Sequence, residues 1–194
     1  MTKVFKECFA KGAHGREPTI LTAGRARIQY AAAMEPVLQR AVEDRDASGL
    51  QRLIADAFAD YPHCFLDVEM EEPELMAPGQ HFLNFIVLEQ AGCIVGSVGC
   101  SQSGATPAGP VFELKKLYLD SGLRGQGWGR RLAEWVDLQA REGGAAAVEL
   151  WSDTRFETAH RVYERLGYRM TGKERPLNDL SDSAEFHFWK ELSA

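Results

Sequence analysis

The segment LRGQGWGRRL, residues 123–132, places a glycine at every second position from Gly125 to Gly129 among neighbouring arginines. Glycine leaves backbone N–H groups accessible, and a helix N-terminus brings free N–H groups and the positive end of the helix dipole to the same point. An apolar helical pattern begins at Trp128, directly after these glycines. The segment is therefore predicted to bind a phosphate group at the start of a helix.

Two common phosphate-binding patterns do not fit this segment. A dinucleotide fingerprint needs a third glycine where the sequence has Arg130, and the P-loop pattern G-x-x-x-x-G-K-[ST] occurs nowhere in the 194 residues. The phosphate ligand is therefore expected to be something other than a dinucleotide or a nucleoside triphosphate.

The run from Arg124 to Gly129 resembles the pattern [R/Q]-x-x-G-x-[G/A] of the GNAT superfamily of acyl-CoA-dependent N-acetyltransferases. A second stretch, AHRVYERLGY at 159–168, is similar to the family's A-x-x-x-Y-x-x-x-G-[F/Y], and the resemblance extends over about residues 36–191. It implies that acetyl-CoA is the co-substrate and that the loop amides hold its pyrophosphate. The residues that inherit this role are Arg124, Gly125, Gln126, Gly127, Trp128, Gly129 and Arg130.

The resemblance also assigns a role to the strand that precedes the loop. In the family the pantetheine arm lies along this strand like an added strand, and a bulge frees backbone amides for the arm and the thioester carbonyl. Leu117, Tyr118 and Leu119 occupy the matching positions. Core packing of their side chains is compatible with this role, because the ligand would use their backbone.

Transfer of an acetyl group to an amine needs a base, because an alkyl amine is protonated at neutral pH. Glu113 is the candidate: it lies eleven residues before Arg124, the offset at which histone-type family members carry a catalytic glutamate. The alternative is a glutamate on the strand face that pairs with Lys115.

The departing thiolate needs a proton, and the resemblance assigns Tyr163 as its general acid. The alternative is a core tyrosine that packs with Ala159 and Leu166. One departure from the family pattern is Phe156, where many members carry an asparagine that helps to hold the cofactor. His160 and His187 are interpreted as structural hydrogen-bonding residues.

The hydrophobic patterns predict the elements that position these residues. Their order indicates an α/β fold of the α+β type: a GNAT-like mixed, mostly antiparallel central sheet flanked by helices. The predicted strands are 37–44, 82–90, 93–101, 111–120, 146–152, 168–177 and 184–192. Helices are predicted after Asp46 as the cap, from Trp128, and over the stripe of Ala159, Val162, Tyr163 and Leu166. Residues 61–79 are predicted to be a loop with at most a short helix, and residues 103–110 a turn or loop.

The length of 194 residues predicts one domain. Residues 36–194 are assigned to the acetyltransferase domain, and residues 1–35, which have no sustained period, to a loose N-terminal extension or an added strand.

The net charge of −6 argues against nucleic acid or an anionic membrane as a partner and favours a cationic substrate. No apolar run approaches the ~20 residues that cross a bilayer. The four cysteines form no C-x-x-C pair, so we expect no metal site, reduced thiols and a cytoplasmic location.

The sequence thus predicts an N-acetyltransferase that moves an acetyl group from acetyl-CoA to a primary amine of a small molecule or protein by direct attack. The alternatives are a non-catalytic acyl-CoA-binding or regulatory module and an unrelated phosphate-binding α/β protein. Acceptor choice is expected to depend on loops such as 61–80 and 103–110. Many relatives form dimers, and the sequence leaves open whether this protein is a homodimer.

Overall fold

A computed structural model describes residues 37–82 and 84–192. The extension predicted at residues 1–35 lies outside the described residues. The strands of the described part are β1 (Leu38–Ala41), β2 (Phe85–Gln90), β3 (Cys93–Thr106), β4 (Gly109–Leu119), β5 (Ala147–Asp153), β6 (Arg169–Pro176) and β7 (Ala184–Glu191). The α-helices of that part are α1 (Ala47–Phe58), α2 (Pro78–His81), α3 (Trp128–Glu142) and α4 (Glu157–Arg165).

These strands form one sheet in the order β1-β2-β3-β4-β5-β7-β6. The pair β4–β5 is parallel, and the other neighbouring pairs are antiparallel. A parallel pair needs a crossover connection, which α3 supplies. The predicted fold class, a mixed and mostly antiparallel sheet flanked by helices, is confirmed.

The helices cover the two faces of the sheet with separate apolar clusters. On β2, Ile86 and Leu88 belong to the cluster of α3 and α4, whereas Phe85 and Val87 belong to the cluster of α1. Because alternate side chains of a strand point to opposite faces, α1 lies on one face and α3 with α4 on the other. The helical residues that supply the cores are Leu50, Leu53 and Ile54 of α1, Leu132 and Val136 of α3, and Tyr163 of α4.

The turn or loop predicted over residues 103–110 is much shorter in the structure than predicted. β3 continues to Thr106, and β4 begins at Gly109, so a tight hairpin turn at 107–108 takes its place. The register pairs Gly104 with Val111 and Thr106 with Gly109. Backbone pairing with β4 makes this small, polar and mostly exposed stretch a strand, which its composition does not reveal.

The start of α1 is as predicted, but the Asp46 side chain does not cap it. Its carboxylate accepts hydrogen bonds from Arg40 Nη1 and Nη2, both at 2.7 Å, and from the Glu43 N–H at 2.8 Å. Burial raises the pKa of Asp46, but the bonds from Arg40 and Glu43 outweigh it and hold the pKa below its usual value. The carboxylate therefore joins β1 to the beginning of α1.

Cys64 and Cys100 are buried and free, as expected for reduced thiols. Cys93 is disulfide-bonded, so the expectation of reduced thiols is wrong at this position. Across residues 37–82 and 84–192, every helix is too short or too polar to cross a membrane. Within the same ranges, His, Cys, Asp and Glu side chains form no group of three suited to a metal ion.

Candidate active site

The sheet separates between β4 and β5. The two strands pair only through Val111–Ala147, Phe112–Val148 and Glu113–Glu149. Beyond Glu113, β4 pairs with β3 alone, while β5 continues alongside β7. The edge of β4 from residue 114 to 119 therefore faces a gap into which an extended ligand can add as a strand.

A β-bulge lies in this open part of β4. Ser97 pairs with Tyr118, but Gly99 pairs with Lys115, so β4 carries one residue more than β3 between these pairs. Lys116 has a positive φ of 52°, and its carbonyl accepts a hydrogen bond of 2.8 Å from Ser97 Oγ. The bulge therefore lies at Lys116 and Leu117, at the start of the predicted positions Leu117 to Leu119, where it re-aims backbone N–H groups.

The glycine segment connects β4 to α3 as predicted. Gly125 and Gly127 have φ values of 75° and 84°, in the left-handed region that favours glycine. A Cβ atom built on either residue would meet no atom within 4 Å, so the backbone lies open on this side. The first N–H groups of α3 follow directly and have no acceptor within the helix, because the opening turn of a helix has no internal acceptors.

The side chains of this loop mostly bond to the protein itself. Arg124 donates from Nη1 to Asp60 Oδ2 at 2.7 Å, which ties the loop to the end of α1. Gln126 Nε2 donates to the Gly122 carbonyl at 2.6 Å, and Arg130 pairs with Glu134 at 2.7 Å. An anion at this loop would therefore be met first by backbone N–H groups.

Tyr163 lies in the core of the α3 and α4 face, with its ring 5.9 Å from that of Tyr168 and 5.8 Å from that of Phe188. Burial raises its pKa to about 12. Among the described side chains, the enclosed polar atoms without a hydrogen-bond partner are Asp137 Oδ1 and the Tyr168 hydroxyl; the Tyr163 hydroxyl is not in this group. The core packing that the sequence offered as an alternative is thus observed.

Tyr118 lies beside the bulge and packs against the end of α1. Burial raises the pKa of Tyr118 well above its usual value, and the charges of Glu72 and Tyr163 raise it further. Its ring also contacts that of Phe58, at 5.9 Å between centroids. The structure therefore brings the bulge and the end of α1 together.

Glu113 lies where the gap begins and is 18% exposed. Its carboxylate is 3.1 Å from Lys115 Nζ, so the pairing that the sequence offered as an alternative is present. Its position beside Glu149 adds a second carboxylate at the base of the gap. Its role as a base stays a prediction.

The sequence did not single out a second group of charges. Glu72 and Glu74, at the start of a 3-10 turn (Pro73–Met76), form ion pairs with Lys116 of the bulge, with 3.8 Å between Lys116 Nζ and Glu74 Oε1. The acidic run EMEEPE at 69–74 was the only sequence signal of this cluster. The predicted loop 61–79, expected to border the cleft, thus carries charged groups to β4.

Phe156 has a structural role where relatives carry an asparagine. Its ring lies 5.8 Å from that of Phe58 and 4.6 Å from that of Tyr61. These contacts join the β5–α4 connection to the end of α1. They give no polar atom to a cofactor.

The two histidines that the sequence assigned to structural roles are buried and hydrogen-bonded. The His160 ring is bonded to the Asp153 carbonyl at 3.0 Å, and burial lowers its pKa. The His187 ring lies between Glu149 Oε2 at 2.8 Å and Thr171 Oγ1 at 2.9 Å. Both rings thus brace strands of the sheet.

A strand that splits from its neighbour, bulges and then enters a glycine turn at a helix N-terminus is the geometry that the sequence resemblance implied. Residues 49–168 match the family model described as "Acetyltransferase (GNAT) family". The chain belongs to the GNAT family.

Curated relatives carry the same enzyme class in their names. The chain is 31% identical over 125 residues to "Probable N-acetyltransferase family 8 member 5" of Mus musculus, covering 64% of this chain and 55% of that protein. It is 32% identical over 132 residues to the mycothiol acetyltransferase of Thermobispora bispora, covering 64% and 43%. This GNAT chain therefore spans about half the length of these relatives.

Solved structures of low identity share the fold. A GNAT-family acetyltransferase from Staphylococcus aureus superposes with a TM-score of 0.66 at 18% identity, over 81% of this chain and 100% of that one. The protein yncA of Salmonella typhimurium, solved with acetyl-CoA, gives a TM-score of 0.60 at 15% identity, over 82% and 95%.

Proposed function

We propose that this GNAT protein transfers the acetyl group of acetyl-CoA to a primary amine. The observation that carries the proposal is the continuity of the open β4 edge, its bulge and the glycine turn at the start of α3. An extended thioester arm along residues 114–119 would end with its diphosphate at the amides of Gly125 to Arg130. An unrelated phosphate-binding protein has no need for the open strand edge.

The chain offers donors of the right kind for this ligand. The diphosphate would meet main-chain N–H groups with no Cβ in the way at Gly125 and Gly127. The arm would meet the backbone of Leu117, Tyr118 and Leu119. Acetyl-CoA supplies the activated thioester, and the amides freed at the bulge would stabilise the oxyanion that forms on its carbonyl.

Glu113 is our candidate base for the incoming ammonium. It lies at the base of the gap, partly exposed, and its ion pair with Lys115 orients the carboxylate. Removal of the proton leaves a neutral amine that attacks the thioester carbonyl. Proton transfer can run directly or through one water molecule.

Tyr163 is our candidate proton donor for the sulfur. A phenol with a pKa of about 12 is a far weaker acid than a thiol, whose ordinary value is about 8.5. Full transfer to a free thiolate is therefore uphill, by about 5 kcal/mol. We infer that Tyr163 donates a hydrogen bond to the sulfur as the carbon–sulfur bond breaks, and that the proton lost by the amine replaces any proton it delivers.

The test is acetyl-CoA-dependent thiol release across a panel of primary amines, with wild type, Glu113→Gln and Tyr163→Phe. We expect amine-dependent turnover in the wild type and at least a tenfold lower kcat in both variants. Turnover that is equal in all three proteins removes the two catalytic assignments. Binding of acetyl-CoA without turnover of any amine would instead favour the non-catalytic acyl-CoA-binding module.

Ligand binding gives an independent readout. Saturating acetyl-CoA at about 100 times its Kd should stabilise the folded protein by roughly 2.7 kcal/mol. ATP and NAD serve as phosphate-containing controls. A larger thermal shift with ATP or NAD than with acetyl-CoA would contradict the proposal and favour an unrelated phosphate-binding protein.

A further inference from the structure

The segment that follows α1 reaches from the end of β4 to the end of β5. Asp60 Oδ2 accepts a hydrogen bond of 2.7 Å from Arg124, which follows β4. The ring of Tyr61 lies 4.6 Å from that of Phe156, which follows β5. Because β4 and β5 are parallel, both contacts lie at the end of the gap where the two strands have parted. We call residues 60–66 the strap.

Arg155 holds the strap from the β5 side. Its Nε and Nη2 donate to the two carboxylate oxygens of Asp153 at 2.9 and 2.6 Å, which fixes the plane of the guanidinium at the end of β5. Its Nη1 donates to the carbonyl of His63 in the strap at 2.9 Å. His63 has a φ of 57°, in a region that residues other than glycine rarely adopt. The strap therefore takes this path because its surroundings, Arg155 among them, hold it there.

The same guanidinium binds the loop 177–183, which connects β6 to β7. Nη2 donates to Ser183 Oγ at 2.6 Å, and Nη1 lies 3.5 Å from the Ser181 carbonyl. Ser181 Oγ in turn accepts a hydrogen bond of 2.8 Å from the Phe65 N–H and donates one of 3.2 Å to the Phe65 carbonyl. Arg155 thus joins three segments that are far apart in the sequence: the strap, the end of β5 and the loop 177–183.

The strap is connected to the proposed reaction centre through direct contacts. Phe58, the last residue of α1, packs against Tyr118 beside the bulge, with 5.9 Å between ring centroids. Further along, Tyr61 and Phe65 help to line a cavity of about 420 Å³ against Ala59. The diphosphate is proposed to lie at the start of α3, so the acceptor has the opposite, α1 face of the sheet for its approach. The strap borders that approach.

We propose that Arg155 is a positioning residue for the acceptor, which holds the strap and the loop 177–183 together as one wall of the amine entrance. The inference rests on the proposed acetyl transfer and adds a residue that neither moves a proton nor binds the cofactor. A guanidinium suits this role because its five N–H donors lie in one plane at fixed angles, so one side chain can hold several partners in a set arrangement.

Hydrogen exchange tests this wall without any turnover. In Arg155→Ala the backbone amides of residues 61–66 and 177–183 should exchange at least about tenfold faster than in the wild type, because both segments lose a shared partner. Arg155→Lys keeps the positive charge but replaces the planar fork by a single ammonium group, so it should also exchange faster. Unchanged exchange in both segments would overturn the proposal.

Steady-state kinetics test the positioning role, with the amine of the primary-amine panel that the wild type acetylates most efficiently. Arg155→Ala should raise the KM for this amine at least about tenfold and leave kcat and the KM for acetyl-CoA within about threefold, because only binding of the acceptor is weakened. Arg155→Lys should raise the same KM. Full rescue by lysine would show that the positive charge acts and not the fork, and would overturn the proposal.

Arg40→Ala is the control for a general loss of stability. It breaks a buried ion pair away from the gap, so it should destabilise the protein and leave the KM for the amine unchanged. If Arg155→Ala does not fold, Ser181→Ala replaces it, because it removes the hydroxyl that joins Phe65 to the loop 177–183 and keeps the guanidinium.

The outcomes are separable. An equal rise of the KM for the amine in Arg40→Ala and Arg155→Ala, or faster exchange in Arg155→Ala with an unchanged KM, would overturn the positioning role. A wild type that acetylates no amine and shows no thermal shift with acetyl-CoA would overturn the proposed function instead.

Discussion

Glu113 of β4 and Glu149 of β5 are the last two residues that these parallel strands pair. Past them β5 follows β7, and β4 keeps only β3 as a neighbour. Ligands of open sheets bind where strands part at their carboxyl ends, because unpaired backbone groups become accessible there. The parting at Glu113 therefore determines where an extended ligand can enter this sheet.

Substitution by alanine should have different effects at the two glycines that flank Trp128. Gly127 has a φ of 84°, where an L-residue costs about 1–2 kcal/mol, and its amide lies in the proposed diphosphate cradle. Gly127→Ala should therefore lower both stability and the affinity for acetyl-CoA, the latter by at least tenfold. Isothermal calorimetry and urea denaturation measure the two effects.

Gly129→Ala is the matched control for that change. Its Cβ would touch Leu119 Cδ1 at 3.5 Å, an ordinary contact, and the family pattern accepts alanine at this position. Alanine is also the better helix former by about 1 kcal/mol. We expect unchanged or higher stability and an affinity within a few-fold of wild type, so equal losses in both variants would contradict the cradle.

Tyr163→Phe should slow the chemical step without weakening acetyl-CoA binding. A hydrogen bond to a charged group contributes about 1.5–3 kcal/mol, which corresponds to roughly a 10- to 100-fold lower kcat. Steady-state kinetics with a fixed amine measure this change. Tyr168→Phe removes an enclosed hydroxyl without a partner and should leave kcat unchanged.

Alkaline pH should destabilise the protein through Tyr163. The pKa of Tyr163 is about 12 in the folded protein and about 10 in the unfolded chain. Its contribution to the free energy of unfolding is therefore complete below pH 10 and is lost as the pH rises to 12. Between pH 9 and pH 11 the wild type should lose about 1.4 kcal/mol more unfolding free energy than Tyr163→Phe. Urea denaturation at the two pH values measures the difference. Equal losses of unfolding free energy in wild type and Tyr163→Phe would show that the phenol is solvated in the folded protein.

Arg40→Ala should destabilise the fold far from the proposed site. It would leave the Asp46 carboxylate, which is 4% exposed, without its main partner. Breaking a buried ion pair in this way costs about 3–5 kcal/mol. Denaturant unfolding at pH 7 measures the loss.

The same ion pair predicts an acid dependence. Because the folded protein holds the pKa of Asp46 below its usual value, the stabilisation is complete above about pH 4 and falls as Asp46 becomes protonated. The difference between wild type and Arg40→Ala should therefore shrink on acidification. A constant difference down to pH 2 would show that Arg40 acts through packing alone.

The features that the sequence predicted depend on neighbours along the chain. The glycine turn, the start of α3 at Trp128 and its end before Gly143 follow from backbone freedom and helical periodicity. The strand that carries Glu113 follows from its apolar alternation. Local patterns of this kind are visible without any tertiary contact.

The features that the sequence missed depend on partners elsewhere in the chain. β3 is long because β4 pairs with it, although its last residues are small and polar. The Asp46 side chain binds Arg40 instead of capping α1, because a charged guanidinium is a stronger partner than a helix N–H. Such choices between competing partners are made only when the strands and helices pack.

The sequence by itself therefore determined the order of elements, the glycine turn and the family, because these rest on residue types and spacing over short distances. The tertiary structure decided that Lys116 meets Glu72 and Glu74, and that the sheet parts at Glu113. The physical reason is that sheet register and long-range ion pairs are set by the packing of whole elements, and no short segment contains that information.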